Sequence, residues 1–163
     1  MASANPFDSA MRHFKQVLLS SVLSICAFAA NAQQVPTPSG IWVTYDDHTG
    51  AATSEVKVTE SEAGLTGVID KILDPLKAQA KCTLCEDERK DQPIQGMVFF
   101  RNVKVSTEAP LTWDHGEILD PKSGKTYKVR IKLLDNGQTL EVRGYKGSIF
   151  FGRTQVWKRL EQQ

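Results

Sequence analysis

The stretch T-Y-K-V-R-I-K-L-L-D-N-G-Q-T-L-E-V-R-G, Thr126 to Gly144, decides the fold. Tyr127, Val129, Ile131 and Leu133 alternate with Lys128, Arg130 and Lys132, the period-two pattern of a strand with one face in a core and one in water. Asn136-Gly137 supplies the favoured residues of a two-residue hairpin turn, in which both central positions need positive φ. With those two as the loop, Leu133 faces Leu140 and Ile131 faces Val142, apolar against apolar. Lys132 faces Glu141, an opposite-charge pair worth a few tenths up to about 1 kcal/mol. Arg130 facing Arg143 is the mismatch, and with Lys128 it leaves a small basic stripe. A solvated outer face accounts for it; contact with acidic lipid headgroups or a partner is the competing reading.

Strand patterns extend on both sides of this hairpin. Upstream they run over Gly40 to Thr44, Glu55 to Thr59, Gly64 to Ile72, Met97 to Val105 and Leu111 to Leu119. Gly64 and Gly67 permit a bend or bulge in the third. Asp120-Pro121-Lys122-Ser123-Gly124 has the chemistry of a chain reversal, and Gly152 to Leu160 forms the last strand. About eight strands at this spacing read as an antiparallel sandwich or barrel, and closure into a barrel removes exposed edges. The fold class expected is therefore all-β, a single antiparallel up-and-down barrel over residues 40–161. Pro75 to Pro93 interrupts the pattern as one long polar connection carrying both Cys82 and Cys85.

A chain of 163 residues fits one domain with a real core. Its formal charge of +1 gives no electrostatic reason to expect nucleic acid. Residues 1–32 read as a signal peptide, with Met11 as an alternative start. Arg12 and Lys15 precede an apolar run from Val17 to Ala30, and Ala30-Asn31-Ala32 matches the small-x-small cleavage pattern. Cleavage between Ala32 and Gln33 would leave a formally neutral chain with no membrane span. It would open on an extended lead-in, 33–39, containing Pro36 and Pro38. A lipoprotein reading of Leu23 to Cys26 is disfavoured by the bulk of Ile25. The expected location is outside the cytoplasm.

Cys26 departs with the leader, and the remaining pair Cys82-Thr83-Leu84-Cys85 suits oxidised pairing in an exported chain. Haem attachment fails because Glu86 stands where the motif needs histidine. A Cys₂His₂ zinc site would have to recruit His48 and His115, both distant in sequence. A redox-active pair needs nearby positive charge, whereas Glu86, Asp87 and Glu88 follow at once. The expectation is a disulfide closing a small surface loop on the long connection, with thiol-redox catalysis and zinc as competing readings.

Asp46-Asp47-His48 and Asp114-His115-Gly116-Glu117 mix carboxylates with histidine, which suits acid–base work. Both stretches adjoin turns and are expected to be solvated loop residues. No G-x-S-x-G elbow, Walker loop or dinucleotide fingerprint occurs, so no catalytic residue, metal or cofactor is assigned.

Several motifs then line up in order: G-I-W at Gly40 to Trp42, G-L-T-G-V-I at Gly64 to Ile69, and C-T-L-C-E-D-E-R-K-D-Q-P-I-Q-G-M at Cys82 to Met97. They continue with I-L-D-P-K-S-G-K-T-Y at Ile118, L-E-V-R-G-Y at Leu140 and G-R-T-Q-V-W-K-R at Gly152. Together they resemble the domain of unknown function 2147 family of exported bacterial proteins, over nearly the whole mature chain. The resemblance implies a small periplasmic or secreted barrel broadly like lipocalins and supplies no activity. Some relatives carry their cysteines in an earlier hairpin, so no cysteine role transfers from them. Lipocalin-like barrels often open with such a G-x-W, the tryptophan packing at one barrel end under a basic side chain of the last strand. That role would fall to Trp42 with Arg153 or Arg159, through a cation–π contact. Trp113, Trp157, Tyr145, Phe150 and Phe151 are expected in the core or an end plug.

Three functional readings follow. The leading one is a non-enzymatic envelope module holding a small, partly apolar ligand in its barrel. The second is a packed barrel presenting its surface to an envelope protein partner. The third is an enzyme using Cys82 and Cys85.

Overall fold

The computed structural model describes residues 36–161. The expected leader 1–32, the alternative start at Met11, the Ala32–Gln33 cleavage point and positions 33–35 of the lead-in lie outside them. Eight strands run in order as β1 (Gly40–Tyr45), β2 (Ala52–Ser61), β3 (Gly64–Ile72), β4 (Val98–Val105), β5 (Thr112–Asp120), β6 (Lys125–Leu134), β7 (Thr139–Tyr145) and β8 (Gly152–Arg159). Each pairs antiparallel with the next, and β8 pairs with β1 to close the barrel. Among the described residues no helix is long and apolar enough to cross a membrane.

The β6–β7 register is the one the alternation dictates: Leu133 opposite Leu140, Ile131 opposite Val142, Lys132 opposite Glu141 and Arg130 opposite Arg143. Asn136 (φ 52°) and Gly137 (φ 91°) take the positive-φ positions, and Gln138 N donates to Asp135 O at 3.1 Å. The turn differs from the expected two-residue form in that Asp135 also sits at φ 50°. Its carboxylate accepts from Thr139 Oγ1 at 2.7 Å, which holds the left-handed conformation that aspartate tolerates. The connection becomes a single 3-10 turn over Asp135–Gly137, and the ladder ends at Leu134 and Thr139.

Other boundaries shift for local reasons. Met97 is buried but precedes β4, and Leu111 has φ 50° and precedes β5. β2 is longer at both ends than its apolar alternation, because its flanking polar residues still pair with β1 and β3. The connection between β3 and β4 spans residues 73–97 and contains a short 3-10 turn at Pro75–Lys77. Asp74 caps that turn, accepting from Leu76 N at 3.0 Å.

A bulge in β4 fills the barrel. Gly67 pairs with Phe100 while its neighbour Val68 pairs with Val98, so Phe99 is the extra residue. Both rings then reach Trp157, at centroid distances of 6.0 and 6.3 Å. The Phe100 ring lies across Gly67, where a Cβ would come within 2.0 Å of it; a side chain at 67 would expel the ring. Trp42, Leu65, Phe100, Val103, Val129, Ile131 and Leu140 are each 0% exposed. No water-sized space adjoins any of them, so the barrel's middle and lower levels are a packed core.

Candidate functional site

One end of the barrel is sealed. Here Pro36–Ser39 meets the start of β1, the end of β8 and the β6–β7 turn. Trp42 Nε1 donates to Pro38 O at 2.8 Å. Arg159 lies over the Trp42 ring at 4.2 Å from its centroid. Its guanidinium donates to Gly137 O (2.6 Å), Ser39 O (2.8 Å) and Thr37 O (2.6 Å). Burial lowers the Arg159 pKa, yet guanidinium stays charged, and the three carbonyls and the ring compensate it. Trp113 adds to this end, donating from Nε1 to Glu60 at 3.1 Å. Arg153 has no part in the seal. It sits at the other end and pairs with Asp47.

That other end is the mouth, ringed by loop 46–51, the 73–97 connection, the turn 121–124 and loop 146–151. Inside it, Thr44 Oγ1 bonds to Thr53 Oγ1 and Ser54 Oγ, both at 2.7 Å. Gln155 Oε1 accepts from Trp157 Nε1 at 3.4 Å, while its amide reaches Asp47 at 3.5 Å. Phe99 and Ile69, each 7% exposed, are the outermost buried apolar groups. Ile118 and Tyr127 are half-buried beside Gly144, where a Cβ would lie 3.6 Å from Ile118 and 3.9 Å from Tyr127. The mouth is thus a shallow apolar dish with a polar rim.

The cysteines form a disulfide, with Cα atoms 5.4 Å apart. The loop they close is at the surface, with Lys81, Thr83, Leu84 and Glu86 exposed, but Cys82 and Cys85 themselves are buried and belong to the core cluster. The reason is tertiary. The connection packs against the β5–β6 turn so closely that a Cβ on Gly124 would overlap Leu84 O. Cys82 Sγ lies 3.5 Å from Pro121 O. The acidic run after the cysteines is mostly paired: Asp87 with Arg89, and Glu88 with Arg101, which also binds Glu117. Hydrogen bonds from Arg89 pull the Asp87 pKa down to about 2. With both sulfurs in the S–S bond, the zinc alternative lacks its two thiolates.

The two carboxylate–histidine clusters are resolved differently. Asp46 turns its carboxylate onto the amides of His48 (3.1 Å) and Thr49 (3.0 Å), which lowers its pKa and makes it a loop-shaping group. Asp114 is 1% exposed, against the expectation of a solvated loop. It lies on a β5 bulge between Trp113–Ile131 and Gly116–Val129, with His115 at φ 61°. The bulge aims Asp114 at Arg130 Nη2 (3.2 Å), leaving His115 Nε2 3.2 Å from its other oxygen. Alternation carries no sign of this burial, since it depends on the bulge that turns Asp114 onto Arg130 of the next strand.

The basic stripe is divided in the same way. Arg130 pairs with Asp114 and Glu108. Arg143 donates to Ile149 O (2.8 Å), Phe150 O (3.2 Å) and Thr154 Oγ1 (2.7 Å), and only Lys128 is left in solvent. These bonds pin loop 146–151 to the outer wall. Phe150 and Phe151, expected in the core or an end plug, therefore stand exposed. An outer-wall groove of about 380 Å³ runs past Ala109, Arg130, Arg143 and Phe150. A second, of about 470 Å³, lies between Arg89, Gln92, Met97 and Arg101.

The family model for uncharacterized proteins conserved in bacteria, DUF2147, matches residues 40–159. The chain belongs to this family. Those residues are the barrel itself, from the first residue of β1 to the last of β8. Among solved structures the DUF2147 chain is similar to protein HP1028 from the human pathogen Helicobacter pylori, described as belonging to the lipocalin family. The TM-score is 0.66 at 24% identity, covering 77% of this chain and 84% of that one. The likeness is one of fold: a closed eight-stranded, lipocalin-like barrel. No curated protein matches the DUF2147 chain.

Proposed function

We propose that this protein is an exported, non-enzymatic module of the bacterial envelope that works through its surface and loop end. The observation that carries the reading is the filled barrel: the side chains from Trp42 up to Phe100 and Val129 adjoin no water-sized space. Eight-stranded barrels either fill with side chains or hold one small ligand, and this one is filled through its middle. Export is supported by the leader pattern of residues 1–32 and by the family's bacterial membership. Native mass spectrometry of protein recovered from the periplasm tests both parts. A bare chain beginning at Gln33, giving a discrete band on periplasmic crosslinking, is the expected result. A retained small molecule with no crosslinked partner would overturn it.

A second reading is favoured by the dish at the mouth. The lipocalin-like fold is compatible with ligand binding, and Phe99, Ile69, Ile118 and Tyr127 offer apolar contact near Gly144, which carries no side chain of its own. A small, partly apolar molecule would sit there, shallow, under Arg153 and Gln155. Gly144→Val would fill the dish and abolish binding of an apolar fluorescent probe; equal binding by wild type and variant would eliminate this site. The thiol-redox reading is the weakest of the three, because both sulfurs are buried and a thiolate needs access to attack.

A further inference from the structure

Three of the most exposed large apolar side chains share one end of the barrel: Leu76 at 95%, Phe150 at 85% and Phe151 at 78%. Leu76 belongs to the 73–97 connection and the two phenylalanines to loop 146–151, both of which ring the mouth. The phenylalanines are presented on a tied backbone. Arg143 bonds the carbonyls of Ile149 and Phe150, Phe151 N donates to Ser148 O at 3.0 Å, and Lys146 N donates to Phe151 O at 3.3 Å. Water penalises such rings, so a loop built to hold two of them outward implies a surface that receives them.

The charges on the two hairpins nearest the loop point to the surface. Segments 121–134 and 142–160 contain no aspartate or glutamate, although the whole chain is nearly neutral. Lys122, Lys125, Lys128 and Lys146 are exposed, and none has an ion-pair partner among the described residues. Lys128 stands opposite Tyr145, next to the root of the loop. The outer-wall groove beside Phe150 is a poorer candidate, because Arg130 and Arg143 already have their partners there. A pair of exposed aromatic rings with lysines near the root of their loop has the form of an interfacial anchor, the rings entering the acyl boundary and the ammonium groups meeting phosphates.

We propose that this loop end docks on an anionic lipid bilayer, with Phe150 and Phe151 inserted and Lys122, Lys125, Lys128 and Lys146 on the headgroups. This rests on the envelope-module reading and adds a lipid surface to the protein partner expected there. An acidic protein would need a pocket for the rings, whereas a bilayer accepts exposed rings without one. The test is co-sedimentation of the purified protein with phosphatidylglycerol-containing vesicles against phosphatidylcholine vesicles. Binding should favour the anionic vesicles and fall about 10-fold or more in Phe150→Ser/Phe151→Ser, while thermal unfolding stays at the wild-type temperature. A local readout separates this contact from any made by the apolar N-terminal segment: Phe151→Trp should be quenched by brominated lipid and blue-shift on anionic vesicles. No quenching at position 151, or equal vesicle binding by the double serine variant, would overturn the proposal. A discrete protein crosslink through residue 150 without vesicle binding would also overturn it, yet would leave the envelope-module reading standing.

Discussion

At the residue scale the barrel depends most on Arg159. Its guanidinium answers three carbonyls and covers Trp42, so Arg159→Met leaves three acceptors without their donor. A loss of about 2–4 kcal/mol is expected, measured by urea unfolding. Arg153→Met, which removes only a rim pair with Asp47, should cost under about 1 kcal/mol. Asp87 sets a pH dependence. Its folded pKa, about 2, lies below the ordinary 3.8, so its stabilisation is present above 3.8 and is lost as pH falls towards 2. Calorimetry across that window should show a smaller fall in Tm for Asp87→Asn than for wild type.

At the scale of elements the 73–97 connection is held to the barrel by its buried Cys82 and Cys85 and by its seat on the β5–β6 turn. Closing so short a loop contributes about 2 kcal/mol through the unfolded chain, and the buried sulfurs add apolar burial. Cys82→Ala/Cys85→Ala is therefore expected to cost about 2–4 kcal/mol, with faster proteolysis between residues 78 and 96 as the local signature. The β6–β7 hairpin shows what sequence can deliver at this scale. Its register followed from alternation and one Asn-Gly pair, because a one-residue slip would turn Leu133 and Ile131 out to water. The extra positive φ at Asp135 was not legible, since it depends on the side-chain bond to Thr139 across the loop.

At the scale of the whole molecule, closure is the weakest ladder. β1 and β8 share the pairs Trp42–Arg159 and Val43–Lys158, with Leu160 N donating to Ile41 O, while β7 and β8 share seven pairs. Opening should begin at this seam. Hydrogen exchange is expected to show β1 amides exchanging roughly 10-fold or more faster than those of β6 and β7; uniform protection around the barrel would contradict it.

The linear sequence by itself determined the strands, their up-and-down order and the hairpin register, because these rest on side-chain alternation and turn chemistry between near neighbours. It also marked the cysteine pair, the G-I-W opening and the acid-free basic segments, all local in the chain. Tertiary structure alone decided burial where alternation is broken or a loop intervenes. Whether the interior is filled depends on the bulge that turns both Phe99 and Phe100 onto Trp157. Whether Asp114 is buried depends on the β5 bulge that turns it onto Arg130, and whether Phe150 and Phe151 are exposed depends on the Arg143 bonds that hold their loop to the outer wall. Burial at these positions is a property of all the neighbours in space at once, and the pattern along one strand does not carry it.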